Sequence, residues 1–426
     1  MTVAVFLVAL MGAMALGMPI AFALLVCAFA LQAAQGNLEI TIVAQKLIEG
    51  ADNYPLLAIP FFILAGEIMN ASGMARRIVQ FAMACVGHIR GGLGLVVIFA
   101  GILLAAISGS AAADAAILAA MVMPVMRSAG HDPARSAGLI SCSAIIAPVL
   151  PPSVAIIVFC VISNVSIGKM FMAGIVPGIM LGVALVIAWM WVVRKEQVKP
   201  LPRQSGAQVL RSFREAFLGL LMPIGIVGGM KTGLFTPTEA AVVACAYALV
   251  VGLVIHREMK PSALYGLFVN AVKTTAVVVF TIAAALASAW FITVSEVPAQ
   301  VEAILRPFSG DPKLLMLAIM ILVLVVGTAL DFAPTLMILT PVLMPVVAKA
   351  GIDPVYFGIL FIIANAIGLV TPPVGIVLNV VSGVGKVTMT EVTRGIWPFL
   401  LAQTAVLMLL VAFPALVLVP MRWLLG

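Results

Sequence analysis

The amino-acid sequence predicts an all-α polytopic membrane protein. Of its 426 residues, 64% are hydrophobic and only 9% are charged, whereas a soluble domain averages about 45–50% apolar and about 25% charged residues. Apolar runs long enough to cross the roughly 30 Å hydrocarbon core of a bilayer recur along the chain. A repeated pattern of interrupted helices, described below, further predicts two inverted repeats.

The net charge of +7 does not indicate nucleic-acid binding. The basic residues lie in loops between apolar segments, and an excess of Lys and Arg in cytoplasmic loops is general in membrane proteins. The cysteines and histidines show no paired spacing, so neither a disulfide framework nor a zinc site is expected. Motifs for ATP hydrolysis and nucleophilic catalysis are absent, and we expect no enzyme activity and no cofactor.

An internal repeat is visible without gaps. A shift of 221 residues aligns residues 117–152 with residues 338–373, and 14 of 36 aligned positions are identical. The matches include the Asp-Pro pairs at 132–133 and 353–354 and the Pro-Pro pairs at 151–152 and 372–373. A hydrophilic linker, residues 194–215, divides the chain near its midpoint. These observations predict a duplicated unit.

Each repeat contains a predicted re-entrant helical hairpin. Two apolar legs, Leu93–Ile107 and the run that ends at Met126, flank a tip of small and polar residues at 108–114. In the second half, Leu314–Val326 and Leu336–Val347 flank a tip at 327–335. Legs of about 15 residues give about 22 Å of helix, too short to cross. One kinked helix that crosses continuously is the open alternative.

Each hairpin precedes a helix that its prolines should break, because Pro lacks a backbone donor and clashes with the preceding turn. Non-helical backbone at membrane depth is tolerated only where it is buried in protein or lines a cavity. Its free carbonyl oxygens suit a hard cation such as Na⁺, and helix N-termini favour a carboxylate. The tips and breaks are therefore the candidate site.

Polar side chains in these segments are the candidate ligands, because ionisable residues within apolar sequence are costly and usually functional. Asp331 is predicted to bind an ion. Asp114 is either a ligand or a first-turn residue that stabilises its helix. The substrate-binding candidates are Ser110, Asp114, Pro152, Ser153, Asn365, Pro373, Gly375 and Asn379.

The remaining segments complete a predicted domain order. Two amphipathic helices, expected as interfacial braces or as ordinary connections, precede the hairpins. If the first hairpin opens to the cytoplasm, the inside loops hold 15 of the 23 Lys and Arg residues and the outside loops hold 7, which supports opposite entry of the two hairpins. The predicted order is scaffold helices 1–71, brace 72–90, transport half 91–165, transmembrane helix 166–193, linker 194–215, scaffold helices 216–294, brace 295–311, transport half 312–385 and C-terminal transmembrane helix 386–426.

Several motifs resemble the large membrane subunit of TRAP transporters, the tripartite ATP-independent periplasmic systems. They are "LLAIPFFILAGEIMNASG" (56–73), "GLFTPTEAAVVACAYAL" (233–249), "LTPVLMPVVAKAGIDPVYFGI" (339–359) and "TPPVGIVLNV" (371–380). The resemblance runs nearly the whole chain. It implies an elevator transporter of the ion transporter superfamily, in which a Na⁺-driven transport domain slides against a scaffold.

The resemblance also implies site residues and partners. The substrate, mostly a carboxylate in this family, would sit between the hairpin tips. A small four-helix membrane subunit and a periplasmic binding protein would assemble with the chain in the bacterial inner membrane. The family's Na⁺ sites map to Ser108, Gly109, Ser110, Ala147, Pro148, Pro151, Gly327, Thr328, Asp331, Gly368, Thr371 and Pro372.

Three questions remain open at this point. Glu239 in "TPTEA" is either functional or, as we prefer, a residue that complements the start of a helix. A stand-alone carboxylate transporter of the same superfamily is the alternative function. A membrane scaffold or channel without coupled transport is the rival from another class.

Overall fold

A computed structural model describes residues 2–36, 38–194, 196, 198–308 and 310–425. These residues form helices and no strand, which confirms the all-α class. Nine of the described helices are long and apolar enough to cross a membrane by length and composition. The predicted linker and the second predicted brace include residues 195, 197 and 309, which lie outside the described part of the chain.

Twenty α-helices account for the described elements apart from short 3₁₀ or π turns at Tyr54–Leu57, Val251–Ile255 and Arg306–Phe308. In chain order they are α1 Thr2–Ala15, α2 Ile20–Ala34, α3 Ile40–Ala51, α4 Ala58–Ala71, α5 Met74–Val86, α6 Gly92–Ser108, α7 Ala111–Ser128, α8 Pro133–Ala144, α9 Val154–Ser163, α10 Ile167–Val193, α11 Gly206–Lys231, α12 Pro237–Val250, α13 Pro261–Val294, α14 Val297–Leu305, α15 Pro312–Ala329, α16 Phe332–Lys349, α17 Pro354–Gly368, α18 Ile376–Gly385, α19 Met389–Ala412 and α20 Ala415–Leu425.

The helix bounds repeat with the spacing seen in the sequence. Both ends of α16 lie 221 residues after those of α7, and α17 begins 221 residues after α8. Helices α8 and α17 both start at a proline that follows a capping aspartate, Asp132 for α8 and Asp353 for α17. The Pro151-Pro152 and Pro372-Pro373 peptides are both cis. The duplication therefore extends from the sequence to the helix bounds.

The hairpins differ from the prediction in the length of their legs. The legs α6, α7, α15 and α16 contain 17, 18, 18 and 18 residues, or about 25–27 Å of helix. The turns are correspondingly short, with Gly109-Ser110 in the first and Leu330-Asp331 in the second. The sequence suggested longer tips because small and polar residues continue into the first turn of α7 and α16, where they remain helical.

Two predicted segment boundaries require correction. Residues 194–215 were expected to form a linker, but α11 begins at Gly206 because Ser205 and Gln208 form a capping box that satisfies its first amides. Residues 386–426 were expected to form one transmembrane helix, but α19 ends at Ala412 and α20 begins at Ala415. Pro414 lies between them and cannot donate the hydrogen bond that would continue the helix.

Close backbone contact fastens α8 to α19. A Cβ atom on Gly395 would lie 2.0 Å from the carbonyl oxygen of Ala134, and one on Gly138 would lie 2.7 Å from the Gly395 carbonyl carbon. The Gln403 side chain then donates to the Cys142 carbonyl at 2.8 Å. Small residues at helix crossings and interhelical hydrogen bonds are the usual sources of cohesion in membranes.

We therefore predict that Gly395→Ala destabilises the protein. The added methyl group has no space at the α8–α19 crossing, and overpacking of this kind costs about 1–3 kcal/mol. The thermal midpoint of the purified protein should fall. Gly228→Ala is the matched control, because Gly228 is also inside a helix but has nothing within 4 Å of a Cβ position. An equal fall for both variants would contradict the packing argument.

Candidate functional site

A cavity of about 370 Å³ lies between the two hairpin tips. Residues from the tips and from the two broken helices form one side of it. Helices α4 and α13, from the segments predicted to form the scaffold, contribute the other lining residues. The polar lining residues are Glu67, Asn70, Ser108, Ser110, Thr274 and Asp331.

The first tip has its own hydrogen-bond network. The Ser108 hydroxyl donates to Asp114 Oδ1 at 2.5 Å and accepts from the Ser110 amide at 3.1 Å. Asp114 is completely buried in the first turn of α7. Its second oxygen, Oδ2, has no hydrogen-bond partner among the described residues. A buried carboxylate oxygen without a donor is costly, so it can accept a cation at little further desolvation cost.

The first tip rests directly on the first helix break. Gly109 has φ +59°, and a Cβ atom there would lie 2.9 Å from the Pro152 carbonyl oxygen, so glycine suits both the conformation and the contact. Ser153 turns back and donates to the Pro148 carbonyl at 2.8 Å. Across the described part of the chain, the Ala147 and Pro151 carbonyls accept no hydrogen bond. The break therefore presents free oxygen atoms beside the tip.

The second tip makes an equally close contact with the second break. A Cβ atom on Gly368 would lie 2.7 Å from the Gly327 carbonyl carbon, so α15 and α17 touch backbone to backbone. Asn365, fully buried in α17, donates from Nδ2 to the Phe332 carbonyl at 2.8 Å. Its Oδ1 atom has no partner within the described residues. This junction also holds a buried oxygen without a donor.

Hydroxyl and carboxylate groups complete the second junction. Asp331 is exposed at the tip, where it caps α16 by accepting from the Phe332 amide at 2.6 Å. Thr328 and Thr371 donate to carbonyls of their own helices, at 2.8 Å and 2.7 Å. A hydroxyl that donates in this way keeps its oxygen lone pairs available. The Thr371 and Pro372 carbonyls accept no hydrogen bond from the described chain.

The structure gathers the predicted residues other than Thr328 into three groups. Ser108, Gly109, Ser110, Pro148 and Asp331 line the cavity. Those at the tip–break contacts behind it are Asp114, Ala147, Pro151, Pro152, Ser153, Gly327, Asn365 and Gly368. Thr328 lies at the end of α15, beside the second tip. The remaining ones lie at or just after the second break and are Thr371, Pro372, Pro373, Gly375 and Asn379, the last donating to the Val374 carbonyl at 3.1 Å.

Three polar lining residues were not predicted. Glu67 and Asn70 lie on α4, and Thr274 lies on α13. Glu67 forms no ion pair with any described residue. Its charge within the apolar run "FFILAGEIM" was a usable signal, because an ionisable residue in a membrane segment is a functional candidate by default.

Electrostatically, the cavity combines helix N-termini with carboxylates. The N-terminal turns of α7 and α16 contribute lining residues, including Ala111 and Phe332, and such turns carry partial positive charge. Within the described chain, the lining includes no Lys or Arg. An anion entering this cavity would be attracted by peptide dipoles rather than by a basic side chain, against the repulsion of the Glu67 and Asp331 carboxylates.

Glu239 lies outside this cavity and forms a capping box at the start of α12. Its carboxylate accepts from the Thr236 amide at 2.8 Å, while the Thr236 hydroxyl accepts from the Glu239 amide at 3.3 Å. These reciprocal bonds satisfy two otherwise free groups at the helix end. They support the structural interpretation of Glu239.

Comparison with known proteins identifies the class. Residues 7–416 match the family described as "Tripartite ATP-independent periplasmic transporter, DctM component". The chain is 48% identical over 99% of its length to the whole of the 2,3-diketo-L-gulonate TRAP transporter large permease protein YiaN of Escherichia coli. It is 39% identical to the sialic acid TRAP transporter large permease protein SiaM of Vibrio cholerae, over 95% of both chains.

A solved structure supports the fold independently. The Alcanivorax borkumensis YdaH transporter superposes with a TM-score of 0.66 at 15% sequence identity, covering 91% of this chain and 89% of that one. The likeness concerns the fold alone. The family match is decisive: the chain belongs to the DctM component family, the large permease subunits of TRAP transporters. These relatives are transporter permeases, which are not enzymes, and they are membrane proteins. The nine candidate spans of the described residues are consistent with a multi-pass protein of the inner membrane.

We predict that Ser108→Ala destabilises the protein through Asp114. Removal of the hydroxyl leaves both oxygens of a buried carboxyl group without a donor, which costs about 1–3 kcal/mol. The thermal midpoint should fall, and the Ser108→Ala/Asp114→Ala double variant should be less destabilised than the sum of the single changes. Ser163→Ala, which removes only a hydroxyl bonded to its own helix at 2.7 Å, is the control. Strict additivity would show that Ser108 does not act through Asp114.

Proposed function

We propose that this chain is the permease subunit of a Na⁺-coupled importer for an organic acid. The observation that carries the proposal is the pair of tip–break junctions. Each one places buried oxygen atoms without donors directly behind a tip that lines the central cavity. Oxygen atoms from carbonyls, hydroxyls and carboxylates are the ligands that hard cations prefer. Two such junctions beside one cavity would link ion binding to substrate binding.

The first ion would bind where the Ser108–Ser110 backbone meets the Ala147–Pro151 break, with Asp114 balancing its charge from behind. The second would bind where Gly327, Thr328 and Asp331 meet Gly368, Thr371 and Pro372. Asn365 Oδ1 faces the Gly327–Gly368 contact, since it lies 3.1 Å from a Cβ position on Gly327. A cation there would satisfy an oxygen that otherwise has no donor in the described chain.

The substrate would occupy the cavity between the tips. Its volume, about 370 Å³, falls within the range of about 300–1,000 Å³ that is usual for small-molecule sites. A carboxylate would face the Ala111 and Ala112 amides of α7 and the Ala333 amide of α16, as anions do at helix N-termini. The Phe332 amide would not take part, since it is bonded to Asp331. The side chains of Glu67, Asn70 and Thr274 would form hydrogen bonds with the hydroxyl groups of the substrate. Relatives named for diketogulonate and sialic acid transport support an organic acid as substrate.

Alternating access would follow an elevator mechanism with the inverted repeats as its symmetric parts. The cavity lies between the tips and the helices α4 and α13, so movement of the hairpins and broken helices against those helices would carry the site across the membrane. The family name implies a periplasmic component. We therefore propose that a periplasmic binding protein delivers the substrate and that a small four-helix membrane subunit completes the complex.

The central test is uptake by the complex reconstituted into vesicles with its small subunit and binding protein. Uptake of the organic acid should require an inward Na⁺ gradient, because filling both junctions stabilises the tips that bind the substrate. Equal rates with and without the gradient would reject coupling and favour a channel or scaffold. Undiminished uptake without the binding protein would favour the stand-alone transporter.

We predict that Asp331→Ala abolishes uptake while the subunits still assemble. Asp331 is a cavity-lining helix cap, so its removal alters both the second junction and the cavity wall. Asp311→Ala is the matched control, because Asp311 is also a helix-capping aspartate, bonded to the Lys313 amide at 2.8 Å, but it caps the opposite end of the same hairpin. Loss of a cap costs about 0.5–2 kcal/mol in either variant. Equal loss of uptake in both would remove Asp331 from the site.

A further inference from the structure

A second cavity, of about 940 Å³, lies between α5 and the start of α11. It does not share a lining residue with the central cavity. One end is polar and consists of His88, Arg203 and the residues that begin α11. The other walls are apolar and include Phe81, Leu210 and Phe213. The cavity therefore combines a basic end with an apolar groove.

The basic end is not neutralised by the acidic residues of the linker. Glu196 pairs with His131 at 3.2 Å and with Arg135 at 3.0 Å, and Glu215 pairs with Arg211 at 3.1 Å. Arg203 is exposed and forms no ion pair within the described residues. His88 Nδ1 is buried and has no hydrogen-bond partner in that part of the chain. An anionic group would supply the counter-charge that Arg203 lacks among the described residues.

The start of α11 strengthens the attraction for an anion. This helix contains 26 residues, and Gly206 in its first turn lines the cavity. The capping box occupies the Ser205 and Gln208 amides, but the Gly206 and Ala207 amides form no hydrogen bond among the described residues and carry the partial positive charge that suits phosphate. The Arg203 guanidinium would add a forked pair of donors. Together these groups form one pole that fits a phosphate diester.

From the basic end, the apolar groove continues along a series of phenylalanine rings. The Phe81 and Phe213 rings have centroids 5.5 Å apart, and Phe213 and Phe217 have centroids 5.7 Å apart. Phe213 and Phe217 lie about 10 and 16 Å from Gly206 along the helix axis, at 1.5 Å per residue. Phe213 is 38% exposed and Leu210 is 50% exposed, so the protein itself leaves this groove uncovered.

From this geometry we propose that the cavity binds one anionic phospholipid. Its phosphate lies at Arg203 and the first turn of α11, and an acyl chain follows Phe81, Phe213 and Phe217. A free phosphate would leave the apolar groove uncovered, and a zwitterionic phospholipid would bring its own cationic group to an end of the cavity that already holds Arg203. The ring centroids of Phe81 and Phe99 are 6.2 Å apart, and Phe99 belongs to the first hairpin. The lipid therefore holds α5 and α11 together beside this hairpin.

Cys85 provides a direct probe because it lines this cavity and is only partly buried, whereas Cys27, Cys142, Cys160 and Cys245 are buried. The permease complex is placed in nanodiscs of phosphatidylcholine, with or without phosphatidylglycerol. N-ethylmaleimide labelling is followed at alkaline pH, since burial raises the pKa of the Cys85 thiol. Phosphatidylglycerol should slow labelling several-fold, and inorganic phosphate should not.

Arg203→Gln should abolish this protection. Arg194→Gln should keep it, because Arg194 lies in the same basic stretch and is exposed but does not line the cavity. Native mass spectrometry should count one retained phosphatidylglycerol in the wild type and in Arg194→Gln, and none in Arg203→Gln. Equal lipid retention in all three proteins would overturn the proposal, as would protection by inorganic phosphate alone.

Discussion

The structure depends on one constraint: a peptide group inside hydrocarbon must find its hydrogen-bond partner within the protein. The four helices that flank the breaks, α8, α9, α17 and α18, contain only 12, 10, 15 and 10 residues, too few to cross alone. Their free ends must therefore be enclosed by other helices. Every residue of α17 from Val355 to Gly368 is buried, which meets that requirement.

The same constraint explains why so much of the fold could be predicted from the sequence. Proline and glycine act locally, so the breaks at Pro151-Pro152 and Pro372-Pro373 and the turn at Gly109 are recognisable without knowledge of the neighbours. The errors also have local causes. Hairpin legs were judged too short because small residues such as Ala111 and Ala113 suggest a loop as readily as a helix. The helix end at Pro414 was not predicted because the residues on both sides of it are apolar.

Only the part of the candidate site that the hairpin tips and helix breaks form could be predicted from the sequence. Tip and break are close in sequence within each repeat, so Ser108, Asp114, Gly327 and Asn365 could be grouped from spacing alone. Glu67 and Thr274 face the same cavity but belong to α4 and α13. The charge of Glu67 could mark it as a candidate, but the cavity it faces depends on how α4 and α13 pack against the hairpins and broken helices, and that contact leaves no periodic or punctuating signal in a single sequence.

In the proposed arrangement each tip lies between a cation and the anionic substrate. This arrangement suggests how an anion could be held without a basic side chain. Asp114 and Asn365 each hold a buried oxygen without a hydrogen-bond partner among the described residues, and the first turns of α7 and α16 line the cavity. A cation behind the tip would neutralise a carboxylate and hold the tip in one conformation, so the amides in front would be arranged before the anion arrives. Each ligand would then raise the affinity for the other by the same factor, as linkage requires. Coupling in this protein would arise from the short distance across a two-residue turn rather than from a long network.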